Sequence, residues 1–105
     1  MRLFGRRRAA GLTRSEQRRE LDDVRLHLEE FVRRRVGVEA FLEPRTTVTP
    51  PTVLLVASSG EWTRRRVADP KIVQGLAEQL QVPVYDVRLV GYPKRMREWN
   101  ARNPR

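Results

Sequence analysis

Residues 61–67, with the sequence EWTRRRV, place a tryptophan close to three consecutive arginines. Side chains alternate between the two faces of a β-strand, so Trp62, Arg64 and Arg66 would point the same way if this segment is extended. Guanidinium groups contact phosphates, and an indole ring stacks either on nucleic-acid bases or on a neighbouring arginine. The segment therefore predicts either a contact with nucleic acid or a cation–π arrangement inside the sheet.

A second group of basic and aromatic residues lies near the C terminus and consists of Tyr92, Lys94, Arg95, Arg97 and Trp99. The last of these, the tryptophan, could instead anchor the C-terminal segment to the core. An arginine in the segment EPRTTVT is a further candidate for a phosphate contact or a loop anchor. The candidate nucleic-acid-binding residues are therefore Arg45, Trp62, Arg64, Arg66, Lys94, Arg95 and Arg97.

Residues suited to catalysis are few. His27 is the only histidine, Asp23 lies one helical turn before it, and the chain has no cysteine. A helical Asp–His pair can orient an imidazole, but no nucleophile lies near this pair in the sequence. A metal ion needs more ligands than one histidine and scattered carboxylates supply. We therefore expect a solvated or half-buried histidine, no catalytic or metal-binding residue, and no cofactor.

The charge distribution favours an anionic partner. The chain has 22 lysines and arginines against 13 acids, which gives a net charge of +9. The positive charge is concentrated in residues 1–19, 44–66 and 91–105, whereas residues 20–43 and 67–90 are net acidic. A field of this kind attracts polyanions such as RNA and DNA. The alternative is that the excess of arginine over lysine reflects GC-rich codon usage rather than a ligand.

The pattern of apolar and capping residues predicts two amphipathic helices. Thr13 and Glu16 form a capping box at the start of a helix over about residues 14–35. Asp69 and Pro70 are typical of the beginning of a second helix, because an aspartate side chain caps the first amides and proline suits the first turn.

Four β-strands are predicted, three between these helices at residues 38–43, 52–58 and 61–67, and one after them at residues 83–89. The second, TVLLVAS, is a short apolar run typical of a central strand that is buried on both faces. The helix between the last two strands would allow them to form a parallel pair. The order helix, three strands, helix, strand predicts an α+β fold with a small mixed sheet packed against helices.

The length of the chain indicates one domain. Residues 1–12 are expected to form a flexible basic tail, residues 13–92 a single α+β domain, and residues 93–105 a basic C-terminal segment with a short helix after Pro93. The longest apolar run, Val53–Ala57, is too short to span a bilayer, and the N-terminal residues lack the apolar region of a signal peptide. We therefore expect a cytoplasmic protein without a membrane partner.

The predicted order of elements resembles the core of restriction-endonuclease-like nucleases. Their metal site needs an acid on the second strand, then an acid and a lysine two residues apart on the third. Here the second strand has no acid, and Thr63 stands where a lysine would follow Glu61. The resemblance therefore implies the fold without the nuclease site.

Two longer stretches, GVEAFLEPRTTVTPPTVLLVASSGEWTRRRV and VPVYDVRLVGYPKRMREW, resemble a family of short, uncharacterised actinobacterial proteins. Together with the helix between them, they cover residues 37–99. Some members are labelled oxidoreductases, but this chain has no glycine-rich dinucleotide loop and no cysteine pair. The resemblance implies a bacterial cytoplasmic protein and no particular mechanism.

The sequence best fits a small basic accessory protein, not an enzyme, that binds an anionic surface such as RNA or DNA. Arg64 and Arg66 would contact phosphates, Trp62 would stack on bases or brace the arginines, and the two basic ends would add affinity. The alternative is a module that binds an acidic protein partner through a strand edge or the C-terminal helix. An enzyme, whether an oxidoreductase or a nuclease, comes third, because no residues support it.

Overall fold

The computed structural model of the chain describes residues 13–104, so the basic tail expected at residues 1–12 lies outside the described part. The elements follow the predicted order, with one short helix added after the last strand and the expected helix after Pro93. They are α1 (Arg14–Arg34), β1 (Glu39–Glu43), β2 (Thr52–Val56), β3 (Trp62–Arg66), α2 (Pro70–Gln79), β4 (Val84–Asp86), α3 (Val87–Val90) and α4 (Lys94–Arg102). This arrangement confirms the predicted α+β class.

The four strands form one open, mixed sheet in the order β3–β2–β1–β4. The first three strands are successive antiparallel neighbours, and β4 is parallel to β1. Helix α2 therefore carries the chain from β3 at one edge of the sheet to β4 at the other. The sequence allows a parallel pair between the last two strands, but β4 pairs with β1 after α2 has crossed the face of the sheet.

Helix α1 begins as its sequence predicts. The Thr13 side chain accepts a hydrogen bond from the main-chain N–H of Glu16 (3.2 Å), and Glu16 Oε1 accepts one from the N–H of Thr13 (2.9 Å). One stripe of the helix is buried, and it consists of Val24, Leu28 and Phe31. The rest of this 21-residue helix is highly charged. Within residues 13–104, no helix is both long enough and apolar enough to cross a membrane.

The face of the sheet that lies under α1 and α2 is apolar along β1 and β2. Asp69 caps α2 by accepting a hydrogen bond from the N–H of Lys71 (3.0 Å), and Pro70 occupies the first turn. The core on this face combines buried side chains from both helices and the sheet: Val24, Leu28, Phe31, Val38, Ala40, Val53, Leu55, Ala57, Val67, Val73, Ala77 and Val82. Burial of this apolar area is the main favourable contribution to folding.

Helix α4 packs against the opposite face of the sheet. Met96 is buried with Phe41, Leu54 and Val56, and Trp62 packs against this cluster. The second apolar cluster is smaller than the first because α4 has only nine residues. The C-terminal segment is therefore part of the packed structure as far as this helix extends.

Gly60 brings the turn between β2 and β3 into close contact with α4. Its φ is +95°, and a Cβ atom at this position would lie 2.1 Å from the carbonyl oxygen of Arg95. The Arg95 side chain in turn donates from Nε to the carbonyl oxygen of Ala57 (2.9 Å). Only glycine combines this backbone conformation with such a close approach, so the turn and the C-terminal helix are held together.

The fourth strand is shorter than its sequence pattern indicates. Alternation predicts a strand over residues 83–89, but β4 ends at Asp86 and α3 follows directly. The Asp86 carboxylate accepts a hydrogen bond from the main-chain N–H of Arg88 (2.8 Å), which caps this helical turn. Leu89 is 84% exposed and does not belong to an apolar strand face. The prediction was wrong beyond Asp86 because a local cap replaced the strand conformation.

Candidate nucleic-acid interface

An open cleft of about 630 Å³ lies where β1 ends, β2 begins and β3 ends. We call it the arginine cleft, because four arginines line it: Arg45, Arg64, Arg66 and Arg88. Glu43, Thr52 and Tyr92 also line it. Side chains alternate along a strand, so Glu43 lies on the same sheet face as Phe41, which packs under α4. The cleft therefore occupies the part of this face that α4 does not cover.

Glu43 is the centre of a hydrogen-bond network in the arginine cleft. Arg64 donates to both carboxylate oxygens, from Nε to Oε1 (2.7 Å) and from Nη2 to Oε2 (3.0 Å). The Thr52 hydroxyl donates to Oε1 (2.6 Å) and the Tyr92 hydroxyl to Oε2 (2.5 Å). Burial acts to raise the pKa of Glu43, but these hydrogen bonds outweigh it, so the pKa lies below its usual value. The carboxylate is therefore ionised and neutralises Arg64.

The excess positive charge of the arginine cleft comes from Arg45 and Arg66. Both side chains are exposed, and neither makes a hydrogen bond or an ion pair with any of residues 13–104. Arg88 differs from them, because its guanidinium pairs with the carboxylate of Asp86 (2.9 Å). Two guanidinium groups are thus available to an anion. Phosphate suits them well, since its oxygens match the forked geometry of arginine.

Trp62 is half-buried on the same sheet face, between the arginine cleft and α4. Its indole Nε1 donates a hydrogen bond to Oδ1 of Asn100 (2.7 Å). The Arg64 guanidinium lies 5.1 Å from the ring centroid, a cation–π distance. The sequence allowed either a contact with nucleic acid or a cation–π arrangement inside the sheet, and the structure has the cation–π arrangement. The tryptophan supports Arg64 and links β3 to the C-terminal helix.

The three candidate residues on α4 have separate surroundings. Arg95 pairs with Glu39 (2.6 Å), at the end of β1 remote from Glu43. Arg97 donates from Nη1 to the carbonyl oxygen of Tyr92 (2.8 Å), which places it beside the arginine cleft. Lys94 is exposed, and its Nζ lies 3.9 Å from Oε2 of Glu98. The structure thus brings Arg45, Arg64 and Arg66 into one cleft but does not add Lys94 or Arg95 to it.

Glu43, Thr52 and Arg88 belong to the arginine cleft but were not among the candidate residues. Glu43 could have been found from strand alternation, because it shares a face with Phe41 two positions earlier. Arg88 could not, since the sequence placed it in a strand, whereas it lies in α3. The contact between Thr52 and Glu43 depends on the register of β1 and β2, where the two residues are paired.

His27 lies on the other side of the sheet and is half-buried, as expected. Arg65 Nη2 donates to His27 Nδ1 (3.0 Å), because a guanidinium can only donate. The proton of the neutral ring is then on Nε2, which is buried without a hydrogen-bond partner among residues 13–104. Burial lowers the pKa of His27, and the charges of Arg65 and Arg35 lower it further. The ring is therefore neutral at pH 7.

Carboxylates and histidine do not cluster in the described part of the chain. Within residues 13–104, no group of three or more histidine, aspartate or glutamate side chains is arranged to hold a metal ion. Glu61, the acid that comes nearest to the nuclease pattern, pairs with Arg35 (2.6 Å). This pairing lowers the pKa of Glu61, chiefly through the hydrogen bond from Arg35. Glu61 thus acts here as an ion-pair partner of α1's C-terminal cap.

Comparison of the chain with models of known protein families, with curated proteins and with solved structures finds no match. The resemblances to the nucleases and to the actinobacterial family therefore stay predictions. A function is therefore inferred from the geometry of the arginine cleft.

Proposed function

We propose that this protein binds RNA or DNA through phosphate groups in the arginine cleft, as a binding protein rather than an enzyme. One observation carries the proposal. Arg45 and Arg66 line the same open cleft, are exposed and have no partner within residues 13–104. An unpaired surface guanidinium keeps its whole charge for a ligand, whereas a paired one must first lose its internal partner.

The paired residues of the arginine cleft support this role. Glu43 accepts two hydrogen bonds from Arg64, so the Arg64 side chain has a defined position on β3, between Trp62 and Arg66. Ordering the cleft before a ligand arrives lowers the entropic cost of binding. The net charge of +9 adds long-range attraction to polyanions, which raises both the association rate and the salt dependence.

A protein-binding module is the second candidate, and the position of β3 favours it. The strand lies at an edge of the sheet, so half of its main-chain hydrogen-bonding groups face away from β2. Arg64 and Arg66 are exposed along this edge. An extended acidic peptide could therefore add to the sheet and pair with Arg66, whose side chain has no partner within residues 13–104.

The test is a titration of the full chain into fluorescent RNA and duplex DNA at about 50 and 200 mM salt. Wild type is compared with Arg45→Glu/Arg66→Glu. We expect salt-sensitive binding by wild type. The double variant should bind about tenfold or more weakly, and its salt dependence should be smaller by roughly two phosphate contacts.

The matched control is Arg19→Glu/Lys71→Glu. This variant makes the same change in net charge at two exposed side chains without partners in residues 13–104, on the helices that cover the other sheet face. Equal losses in both variants would mean that only net charge matters, and would contradict a site in the arginine cleft. Absence of binding by wild type at the lower salt would contradict the proposal altogether and favour the acidic peptide.

A further inference from the structure

Tyr92 is an exposed aromatic residue that is held in place from several sides. The residue is 42% exposed and lines the arginine cleft. Its hydroxyl donates to Glu43 (2.5 Å), and its carbonyl oxygen accepts from Arg97 (2.8 Å). It follows Gly91, whose φ is +75°, and precedes Pro93, whose ring restricts the backbone.

The hydrogen bond to Glu43 also favours the neutral form of the Tyr92 hydroxyl. It raises the pKa of Tyr92, and burial acts in the same direction, so the hydroxyl stays neutral. Glu43 is itself bound by Arg64 and Thr52, so the carboxylate that accepts the hydrogen bond of the tyrosine is held in place. An aromatic surface that is exposed and already ordered loses little entropy when a planar ligand stacks on it.

We infer that the arginine cleft takes a single-stranded segment of nucleic acid, with one base stacked on Tyr92 and the adjoining phosphates on Arg45 and Arg66. This inference rests on the proposed function and names its substrate class. Base stacking on an aromatic ring combined with a basic groove is the general means by which proteins hold single strands. The cleft volume of about 630 Å³ lies within the roughly 300–1,000 Å³ of sites that enclose small organic ligands, so it suits a nucleotide unit.

A duplex fits this arrangement less well, because its bases are already stacked and paired and cannot reach Tyr92. Beyond its first turns, where Arg14, Arg18 and Arg19 are exposed and unpaired within residues 13–104, the long helix α1 offers no free arginine along its exposed side. Several of its arginines are engaged by acids of the same helix, in the pairs Arg25–Asp22, Arg33–Glu30 and Arg34–Glu30. Helices that enter a groove instead present side chains that are free to contact bases and phosphates.

The test measures the affinity of the full chain for three ligands of about 12 nucleotides, a length within the range of known single-strand sites. The ligands are a single strand, the corresponding duplex, and a strand of the same length that lacks bases. Single strands of both RNA and DNA are used, because either supplies a base and a phosphate. We expect wild type to bind the normal single strand about tenfold more tightly than either of the other two.

Two variants assign this preference to the tyrosine. Tyr92→Ala removes the ring, so its affinity for the normal strand should fall to that for the strand without bases. Tyr92→Phe keeps the ring but not the hydrogen bond to Glu43, and should keep most of the preference. If Tyr92→Ala does not fold, which circular dichroism would show, the affinities of wild type for the normal and the base-free strand still decide whether a base contributes to binding.

Equal affinity of wild type for the normal and the base-free strand would overturn the inference, and so would tighter binding of the duplex. Either result would leave the proposed function intact, provided that Arg45→Glu/Arg66→Glu still weakens binding more than its control. Loss of that difference for every ligand would instead contradict the proposed function. The two failures are therefore distinguishable.

Discussion

The two faces of the sheet use the same strands for different purposes. On the face under α1 and α2, alternate residues such as Val53 and Leu55 are completely buried in one continuous apolar core. On the other face, Leu54 and Val56 pack under α4, but Thr52 on the same strand contacts Glu43 in the arginine cleft. Along β2, one face is thus apolar core throughout, whereas the other changes from apolar packing at Leu54 to the polar arginine cleft at Thr52.

The difference arises from how much of each face is covered. Helix α1 has 21 residues and α2 has ten, whereas α4 has nine and lies over one end of its face. Groups left outside such a cover must be satisfied by each other or by water. Glu43, Arg64 and Tyr92 do so through mutual hydrogen bonds, while Arg45 and Arg66 remain open to solvent. Incomplete cover is therefore what leaves room for the arginine cleft.

The largest expected effect comes from the helix-covered face. Leu55→Ala should lower the free energy of unfolding by about 2–5 kcal/mol, because it removes a fully buried side chain and leaves a cavity. Urea denaturation followed by circular dichroism measures this change. The control is Leu89→Ala, at a leucine that is 84% exposed, and it should change stability by less than about 0.5 kcal/mol. Similar losses in both variants would remove the distinction between the core and the surface.

An intermediate effect is expected in the arginine cleft. Glu43→Gln breaks the ion pair with Arg64 and weakens the hydrogen bonds from Thr52 and Tyr92. The Glu43 side chain is only 14% exposed, so we expect a loss of about 2 kcal/mol near neutral pH. Glu30→Gln is the matched control, since Glu30 is 48% exposed and its pairs should contribute under about 1 kcal/mol.

The pH dependence of the unfolding free energy of wild type and Glu43→Gln gives a second measurement. The folded state depresses the pKa of Glu43, so its contribution is present above the unfolded value of about 4.3 and is lost as the pH falls through the folded value. The difference in unfolding free energy between wild type and Glu43→Gln should therefore shrink in acid. A difference that stays constant between neutral pH and pH of about 3 would show that the charge of Glu43 is not what stabilises the cleft.

The smallest effect is expected at His27, where a polar group borders the apolar face. Its pKa is lowered in the folded state, so the unfolded chain binds the proton first as the pH falls below about 6.5. Wild type should thus lose stability between the unfolded pKa and the lower folded one, relative to His27→Gln. Unfolding curves at several pH values from neutral to mildly acidic measure this difference. Parallel profiles for the two proteins would mean that Arg65 and burial do not perturb the histidine.

Much of the fold could be predicted because its signals are local. The capping box of Thr13 and Glu16 and the cap at Asp69 act over three residues or fewer, and the structure confirms both helix starts. The apolar run in β2 likewise identified a central strand. The fourth strand could be predicted only in part, because the cap of Asp86 on α3 competes with an alternating pattern that favours extension. The partner of β4 was not predictable either, since two strands offered a free edge.

The amino-acid sequence by itself determined the order of the elements, the charge of the chain and the arginines of β3 as candidates. Only the tertiary structure decided which of those arginines are available to a ligand. Glu43 lies 21 residues from Arg64 and 49 from Tyr92, yet strand register and the turn after α3 bring all three together. Arg64 is neutralised by this contact, and Arg66, two residues later on the same face, is not. The physical reason is that ion pairing depends on distance in space, which a pattern of residue types along the chain does not contain.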